Sequence, residues 1–179
     1  MSWDDKIEVQ KGKLGEQIID QYLKDNGIIP YIAVFDGPHP FDRLIASLDK
    51  KNIFIADIKT KARRNYYPDT GIDERQYKEY QYLTHKYNIR CFLFFVDESL
   101  GEIYGNFLDV LSQPEIVQYN GKTLQYPLIQ GGIIYFSLAR MKLIATINSQ
   151  QVEALKRLSN RNYVYKEFYR LQEQIENES

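Results

Sequence analysis

The sequence predicts an α/β fold with a mixed central sheet flanked by helices. Three features carry that prediction. Leu14, Ile18 and Tyr22, with Ile19 and Leu23 one position off, recur at helical spacing over residues 5–26. Two extended segments joined by a polar turn follow, over residues 43–47 and 52–59. A polar, helix-length segment then leads to Arg-Cys-Phe-Leu-Phe-Phe-Val-Asp at 90–97, apolar enough for a central strand. The 179 residues fit one domain, 1–179, with a core over 5–112 and an additional hairpin and helices over 113–179.

The elements follow in order. Gly27 stands where a helix C-terminus favours positive φ. Gly12 and Gly15 inside the helix each cost roughly 1 kcal/mol relative to Ala; they permit close approach either to a neighbouring strand or to a phosphate. Residues 28–35 are an apolar strand candidate, and the Gly- and Pro-containing run 36–40 is a loop. Residues 48–51 turn between the two strands of 43–47 and 52–59. In the second of these, Ile53, Ile55, Asp57 and Lys59 share one face, and Phe54, Ala56 and Ile58 the other. Neither face is polar before Asp57, so the strand is expected to be covered on both sides.

Residues 64–72 read as a loop. Asp73 is positioned to cap a helix running to about Tyr87, with Asn88 following. Ile103 and Tyr104 suggest a short strand, and 107–111 a short helix or turn. Asn120-Gly121 within 116–128 signals a hairpin with a tight turn. Residues 133–138 suggest a strand, and 139–146 fit either element type. Asn148 with Gln151 resembles a capping box opening a helix to about Leu158. A second C-terminal helical segment is expected over 163–178.

Composition bounds the function. A net charge of −1 means the whole-chain field does not mark a nucleic-acid binder. Between residues 40 and 64, however, seven basic residues (Arg43, Lys50, Lys51, Lys59, Lys61, Arg63, Arg64) face three acids (Asp42, Asp49, Asp57). The 15 tyrosines suit half-buried core positions or a nucleic-acid surface. One cysteine, Cys91, excludes an internal disulfide framework and a Cys-based zinc site, and its apolar run marks it as a core residue. No stretch approaches the roughly 20 apolar residues of a membrane span. The first residues lack the apolar region of a signal peptide, so a cytoplasmic setting without membrane association is the expectation.

Asp42 opens one strand, and Asp57 and Lys59 lie two apart in the next, so the last two point to one face. Two carboxylates and a lysine on one face are the parts of a metal-dependent phosphodiester hydrolase. The competing reading of Asp57 and Lys59 is a surface ion pair worth roughly 0–1 kcal/mol.

With Lys11-Gly12-Lys13-Leu14-Gly15-Glu16 in the first helix, Asp42 and Asp57-Ile58-Lys59 in the strands, and Gln76 in the following helix, the chain resembles the PD-(D/E)xK nuclease superfamily. Within it, the likeness is to archaeal-type Holliday-junction resolvases and related small endonucleases. The resemblance covers about residues 10–97 and implies a restriction-endonuclease-like sheet; the residues beyond it carry no family pattern and read as a hairpin and a C-terminal helical extension. Two departures stand out: one residue is inserted in Pro40-Phe41-Asp42, and the variable acid is Asp57 where Glu is commoner.

The resemblance implies an Mg²⁺-dependent DNA endonuclease, with Mn²⁺ as a candidate substitute. Mg²⁺ prefers oxygen ligands, so Asp42, Asp57 and the Ile58 carbonyl would hold it. Glu16 would ligate directly, bind a second metal or hold a metal-bound water. Lys59 would orient water or stabilise developing charge, and Gln76 would position water or a phosphate. Lys11, Lys13, Lys61, Arg63 and Arg64 would contact DNA phosphates, and Tyr66 and Tyr67 could stack on an unpaired base. For the residues from about Ile103 on, resemblance to the resolvases suggests a homodimer interface, and contacts to DNA are the alternative. The rival expectation is a catalytically inactive nucleic-acid-binding or assembly subunit on a nuclease-like core.

Overall fold

The computed structural model describes residues 6–32 and 39–159. Its elements run α1 (Ile7–Asp25), β1 (Arg43–Ala46), β2 (Ile53–Thr60), β3 (Asp69–Asp73), α2 (Glu74–Tyr87), β4 (Arg90–Asp97), β5 (Glu102–Phe107), α3 (Leu108–Leu111), β6 (Glu115–Tyr119), β7 (Lys122–Tyr126), β8 (Leu128–Gln130), β9 (Ile133–Ser137), β10 (Lys142–Thr146) and α4 (Ser149–Arg157). The main sheet has the order β1-β2-β4-β5-β10. β2 and β4 pair in parallel, and the other pairings are antiparallel. The parallel step needs a crossover, and β3 with α2 supplies it. The protein is therefore a mixed α/β fold with a central mixed sheet flanked by helices.

Both faces of that sheet are covered, as the alternation along β2 requires. Ile55 joins Tyr80 of α2, Leu108 and Leu111 of α3, and Ile72, Ile134 and Phe136 of a second sheet in one core cluster. Ala56 and Ile58 join Ile18, Ile19 and Leu23 of α1 and Leu155 of α4 in the other. β4 is the middle strand, and its Leu93, Phe95 and Val96 are fully buried.

α1 stops where local chemistry stops it. The Gly27 N–H bonds the Lys24 carbonyl and the Ile28 N–H bonds the Leu23 carbonyl, with Gly27 at φ 73°. That pairing satisfies the last carbonyls of the helix. Gly15 serves packing: a Cβ there would lie 1.7 Å from Thr60 Oγ1, so α1 can seat on β2 only without a side chain at this position. Of the two readings of this glycine, approach to a strand is the one realised. Gly12 faces open space.

Several expectations are corrected. The part of the 28–35 strand that is described is not a strand but an extended segment with a single bridge, Tyr31 to Leu44; residues 33–35 lie outside the described residues. The loop expected over 64–72 contains β3, which pairs with β9 in a three-stranded sheet ordered β3-β9-β8. Asp69 and Thr70, between the Pro68 and Gly71 that marked the loop, are both buried. The ambiguous 139–146 is resolved as a 3₁₀ turn, Leu138–Arg140, and edge strand β10. The strand at Ile103 and Tyr104 is longer than expected, Glu102–Phe107.

Other elements form as read. The hairpin turns on Asn120 (φ 49°) and Gly121 (φ 73°). The Asn148–Gln151 capping box is made in both directions. α2 starts after Asp73, although the Asp73 side chain makes no capping hydrogen bond, and it ends at left-handed Asn88. The helical segment expected over 163–178 lies outside the described residues.

Candidate active site

Asp42 and Asp57 are brought opposite each other by strand register. Arg43 pairs with Ala56, and the Asp42 N–H donates to the Ala56 carbonyl at 3.0 Å, continuing the ladder by one residue. Asp42 thereby faces Asp57 across two antiparallel strands, on the face that carries Leu44 and Ile55. An Asp42 carboxylate oxygen accepts from the Ile58 N–H at 2.6 Å. Asp57 is 3% exposed, and its Oδ2 pairs with Lys59 Nζ at 2.7 Å. The two carboxylates and the lysine singled out in the sequence therefore converge.

Their electrostatics reflect that convergence. Burial pushes the Asp42 carboxyl up, and the neighbouring Asp57 charge adds to it; the Ile58 N–H and Lys59 oppose the rise, and the result is about 7. One lysine does not balance two buried acids together with Glu16, whose charge Asp42 also feels.

Tyr80 lies beside this group, and nothing in the sequence analysis singled it out. Its ring is 2% exposed, and its hydroxyl lies 3.5 Å from Lys59 Nζ. Burial, and then the Asp57 charge, hold its hydroxyl protonated far above the usual tyrosine range. The available signal was spacing: Tyr80 is four residues after Gln76, on the same face of α2. Gln76 itself is half-buried and makes no hydrogen bond among the described residues.

Arg43 is the second group missed, having been counted only as local positive charge. It is 5% exposed and points to the α1 side, the face that also holds Ile45. Its Nε donates to Asp20 Oδ1 at 2.8 Å, and its Nη2 to Asp20 Oδ2 and to Glu16 Oε2 at 3.0 Å each. Its Nη1 donates to the Asp42 carbonyl at 2.7 Å. One guanidinium thus ties Glu16 to the backbone of Asp42.

The residues expected on DNA are placed differently from one another. Lys11 pairs with fully buried Glu98 at 2.5 Å. Lys13 is exposed on α1. Lys61 Nζ donates to the Gly71 carbonyl at 2.7 Å. Arg63 is paired with Asp97 at 2.6 Å and with Glu102. Arg64 grips buried Asp69 through two hydrogen bonds, at 2.5 and 2.6 Å, between the rings of Tyr67 and Tyr135. Tyr66 is 82% exposed. Cys91 is a buried core residue, and burial raises its thiol well above the usual range.

The donor set suits a hard divalent cation. Carboxylate oxygens of Asp42 and Asp57 face each other in a buried place, and a cation between them would relieve their repulsion. Among the described residues no group of three or more His, Cys, Asp or Glu side chains is arranged to hold a metal. Glu16, the third acid expected, is turned to Arg43. Also among the described residues, no helix is long and apolar enough to cross a membrane.

No family model matches the chain, and no curated protein matches it. Among solved structures it is similar to Hjc, a Holliday junction resolvase from the archaeal hyperthermophile Archaeoglobus fulgidus. The TM-score is 0.47 and the identity 8%, over 72% of this chain and 90% of that chain. At that identity no residue role passes from one chain to the other.

Proposed function

We propose that this chain is a metal-dependent DNA endonuclease that hydrolyses phosphodiester bonds. The observation that supports the reading is the convergence of Asp42, Asp57 and Lys59 on one buried spot at the edge of β1 and β2. Asp42 and Asp57 would hold Mg²⁺, or Mn²⁺ in its place, together with the Ile58 carbonyl. Bound there, the ion would neutralise phosphate charge and supply an activated water.

The chain's own residues do the rest. The Ile58 N–H fixes the Asp42 carboxylate, leaving its other oxygen for the ion. Lys59 shifts from Asp57 toward the phosphate, orienting the attacking water and countering developing charge. Tyr80, kept protonated by burial, limits where the Lys59 ammonium can move. Arg43 ties Glu16 to the Asp42 backbone, and Gln76 at the start of α2 would position water or a phosphate oxygen. Cleavage directed by DNA structure, and a homodimer offering two sites, are the resolvase-like form of this reading.

The test is cleavage of duplex, single-stranded, flap and four-way-junction DNA with Mg²⁺ or with EDTA, beside Asp57→Asn. Metal-dependent cutting that the variant loses supports the reading. Undiminished cutting by Asp57→Asn overturns the site. Light scattering on DNA at micromolar concentration checks the dimer, and a monomer throughout removes it.

A second reading has its own observation. Asp57 and Glu16 each already have a cation, Lys59 and Arg43. A non-catalytic nucleic-acid-binding subunit would keep these as structural ion pairs. It predicts DNA binding with neither cleavage nor calorimetric uptake of Mg²⁺.

A further inference from the structure

Asp42 is held at three of its polar groups. Its N–H donates to the Ala56 carbonyl at 3.0 Å, and one of its carboxylate oxygens accepts from the Ile58 N–H at 2.6 Å. Its carbonyl accepts from Arg43 Nη1 at 2.7 Å. The first two contacts tie Asp42 to β2. The third ties it to α1, because the rest of the same guanidinium is spent on that helix.

Glu16 and Asp20 stand four apart on α1 and so share one helix face. Asp20 takes the guanidinium in a fork, from Nε to Oδ1 at 2.8 Å and from Nη2 to Oδ2 at 3.0 Å. A fork of this kind fixes the plane of the guanidinium as well as its place. Nη2 also donates to Glu16 Oε2 at 3.0 Å. Arg43 is buried, so little water is at hand to replace either acid.

Arg43 does not itself reach the candidate site. Side chains alternate along the strand, which puts Arg43 on the α1 face with Ile45 and Asp42 on the opposite face with Leu44. What the guanidinium sets is the Asp42 main chain, and through it the direction of the carboxylate. The charge of Glu16 is felt at Asp42, yet its carboxylate is drawn to Arg43. A divalent ion is already matched by Asp42 and Asp57. A third carboxylate on that ion would repel an incoming phosphate, whereas on Arg43 it offsets a buried cation.

We propose that Arg43, fastened by Asp20, is the positioning residue of the candidate metal site, aiming Asp42 and keeping Glu16 as its own counter-charge, so that the site takes a single divalent cation on Asp42 and Asp57. This rests on the metal site proposed above and settles how many ions it holds and which acids hold them. Glu16 is then a supporting group and not a ligand.

The experiment titrates Mn²⁺ into the full chain without DNA and follows the unbound ion by electron paramagnetic resonance, with Mg²⁺ calorimetry beside it. Wild type, Asp57→Asn, Glu16→Gln, Asp20→Asn and Arg43→Lys are compared, each checked for folding at the titration temperature by circular dichroism. The expected result is a single Mn²⁺ per chain in wild type and none in Asp57→Asn. Asp20→Asn and Arg43→Lys should weaken uptake at least about tenfold with the stoichiometry unchanged, as the loss of a supporting partner does. Glu16→Gln, whose amide oxygen still accepts from Arg43, should stay below that range, at under about threefold. Where Arg43→Lys does not fold, Asp20→Asn decides alone, since it keeps the guanidinium and only neutralises its partner.

Two ions per wild-type chain, or a loss of about tenfold in Glu16→Gln, would make Glu16 a ligand and overturn the proposal. Undiminished affinity in folded Asp20→Asn would also overturn it, leaving Asp20 and Arg43 a plain structural pair. Cleavage of DNA is scored separately. The expected uptake without cleavage removes the nuclease and leaves the positioning role standing. Cleavage with uptake indifferent to Asp20→Asn does the reverse, and no uptake in wild type removes both.

Discussion

Two charged stretches follow one another along this chain, and the fold treats them oppositely. In β2, Asp57 is set facing Asp42, with Lys59 as the nearest cation. A few residues on, Arg63 and Arg64 are each matched to a buried carboxylate, Asp97 and Asp69. Charge is left unbalanced in the first stretch and closed in the second. Unbalanced buried charge is costly to a fold and useful to chemistry. Matched buried charge is a structural fastening whose loss strands a carboxylate. The difference teaches that local basic excess is a poor guide to a ligand surface, whereas facing carboxylates are a better one.

The contrast breaks first at Asp57. Asp57→Asn is expected to reduce metal-dependent cleavage below detection while far-UV circular dichroism stays unchanged. Full activity with normal structure would place the chemistry elsewhere.

Arg64→Ala probes the other side. Removing the guanidinium leaves the buried Asp69 carboxylate without its counter-charge, held only by the Tyr126 hydroxyl, so urea unfolding should show a loss of about 3 kcal/mol. A loss under about 0.5 kcal/mol, with a salt slope for DNA binding reduced by about one, would mean that Arg64 serves DNA and not the fold.

Asp42→Asn should have the opposite sign in metal-free protein. The folded-state carboxyl titrates at about 7 against a reference of 3.8, so the folded state binds the extra proton between those values. Wild-type stability therefore falls as pH rises from about 4 to about 7 and is flat above. The neutral amide does not share that fall. The variant's advantage should grow over the same window to on the order of 2 kcal/mol, while Mg²⁺ uptake measured by calorimetry is lost. A variant less stable than wild type at pH 8 would show that the carboxylates are not in conflict.

The smallest effects concern the seat of Glu16. Gly15→Ala should cost about 1–3 kcal/mol by forcing α1 away from Thr60. Gly12→Ala, with open space around it, should gain up to about 1 kcal/mol. Equal effects in thermal melts would mean that α1 is not held at Gly15.

Much of this was legible along the chain. The alternation in 52–59 marked a strand covered on both faces, because period-2 side chains that are apolar on both sides need two covers. Asn120-Gly121 and Asn148 with Gln151 announced their turn and cap, because both devices are local. Asp42, Asp57 and Lys59 stood out because strand register and spacing are nearly sequence properties. Tyr80 and Arg43 did not, because their roles come from what α2 and α1 lay against the sheet. Asp69 and Thr70 read as loop because their partner, β9, lies some sixty residues downstream.

By itself, the sequence determined the periodicities, the breaks and the presence of two acids and a lysine on neighbouring strands. These follow from backbone geometry over a few residues. The tertiary structure alone decided which charges face one another and which are cancelled. Lys61, Arg63 and Arg64 look alike in sequence to a phosphate-binding run, and only the arrival of Gly71, Asp97 and Asp69 engages them in the fold. Coulomb energy depends on distance through space and on burial, and neither is written in the distance along the chain.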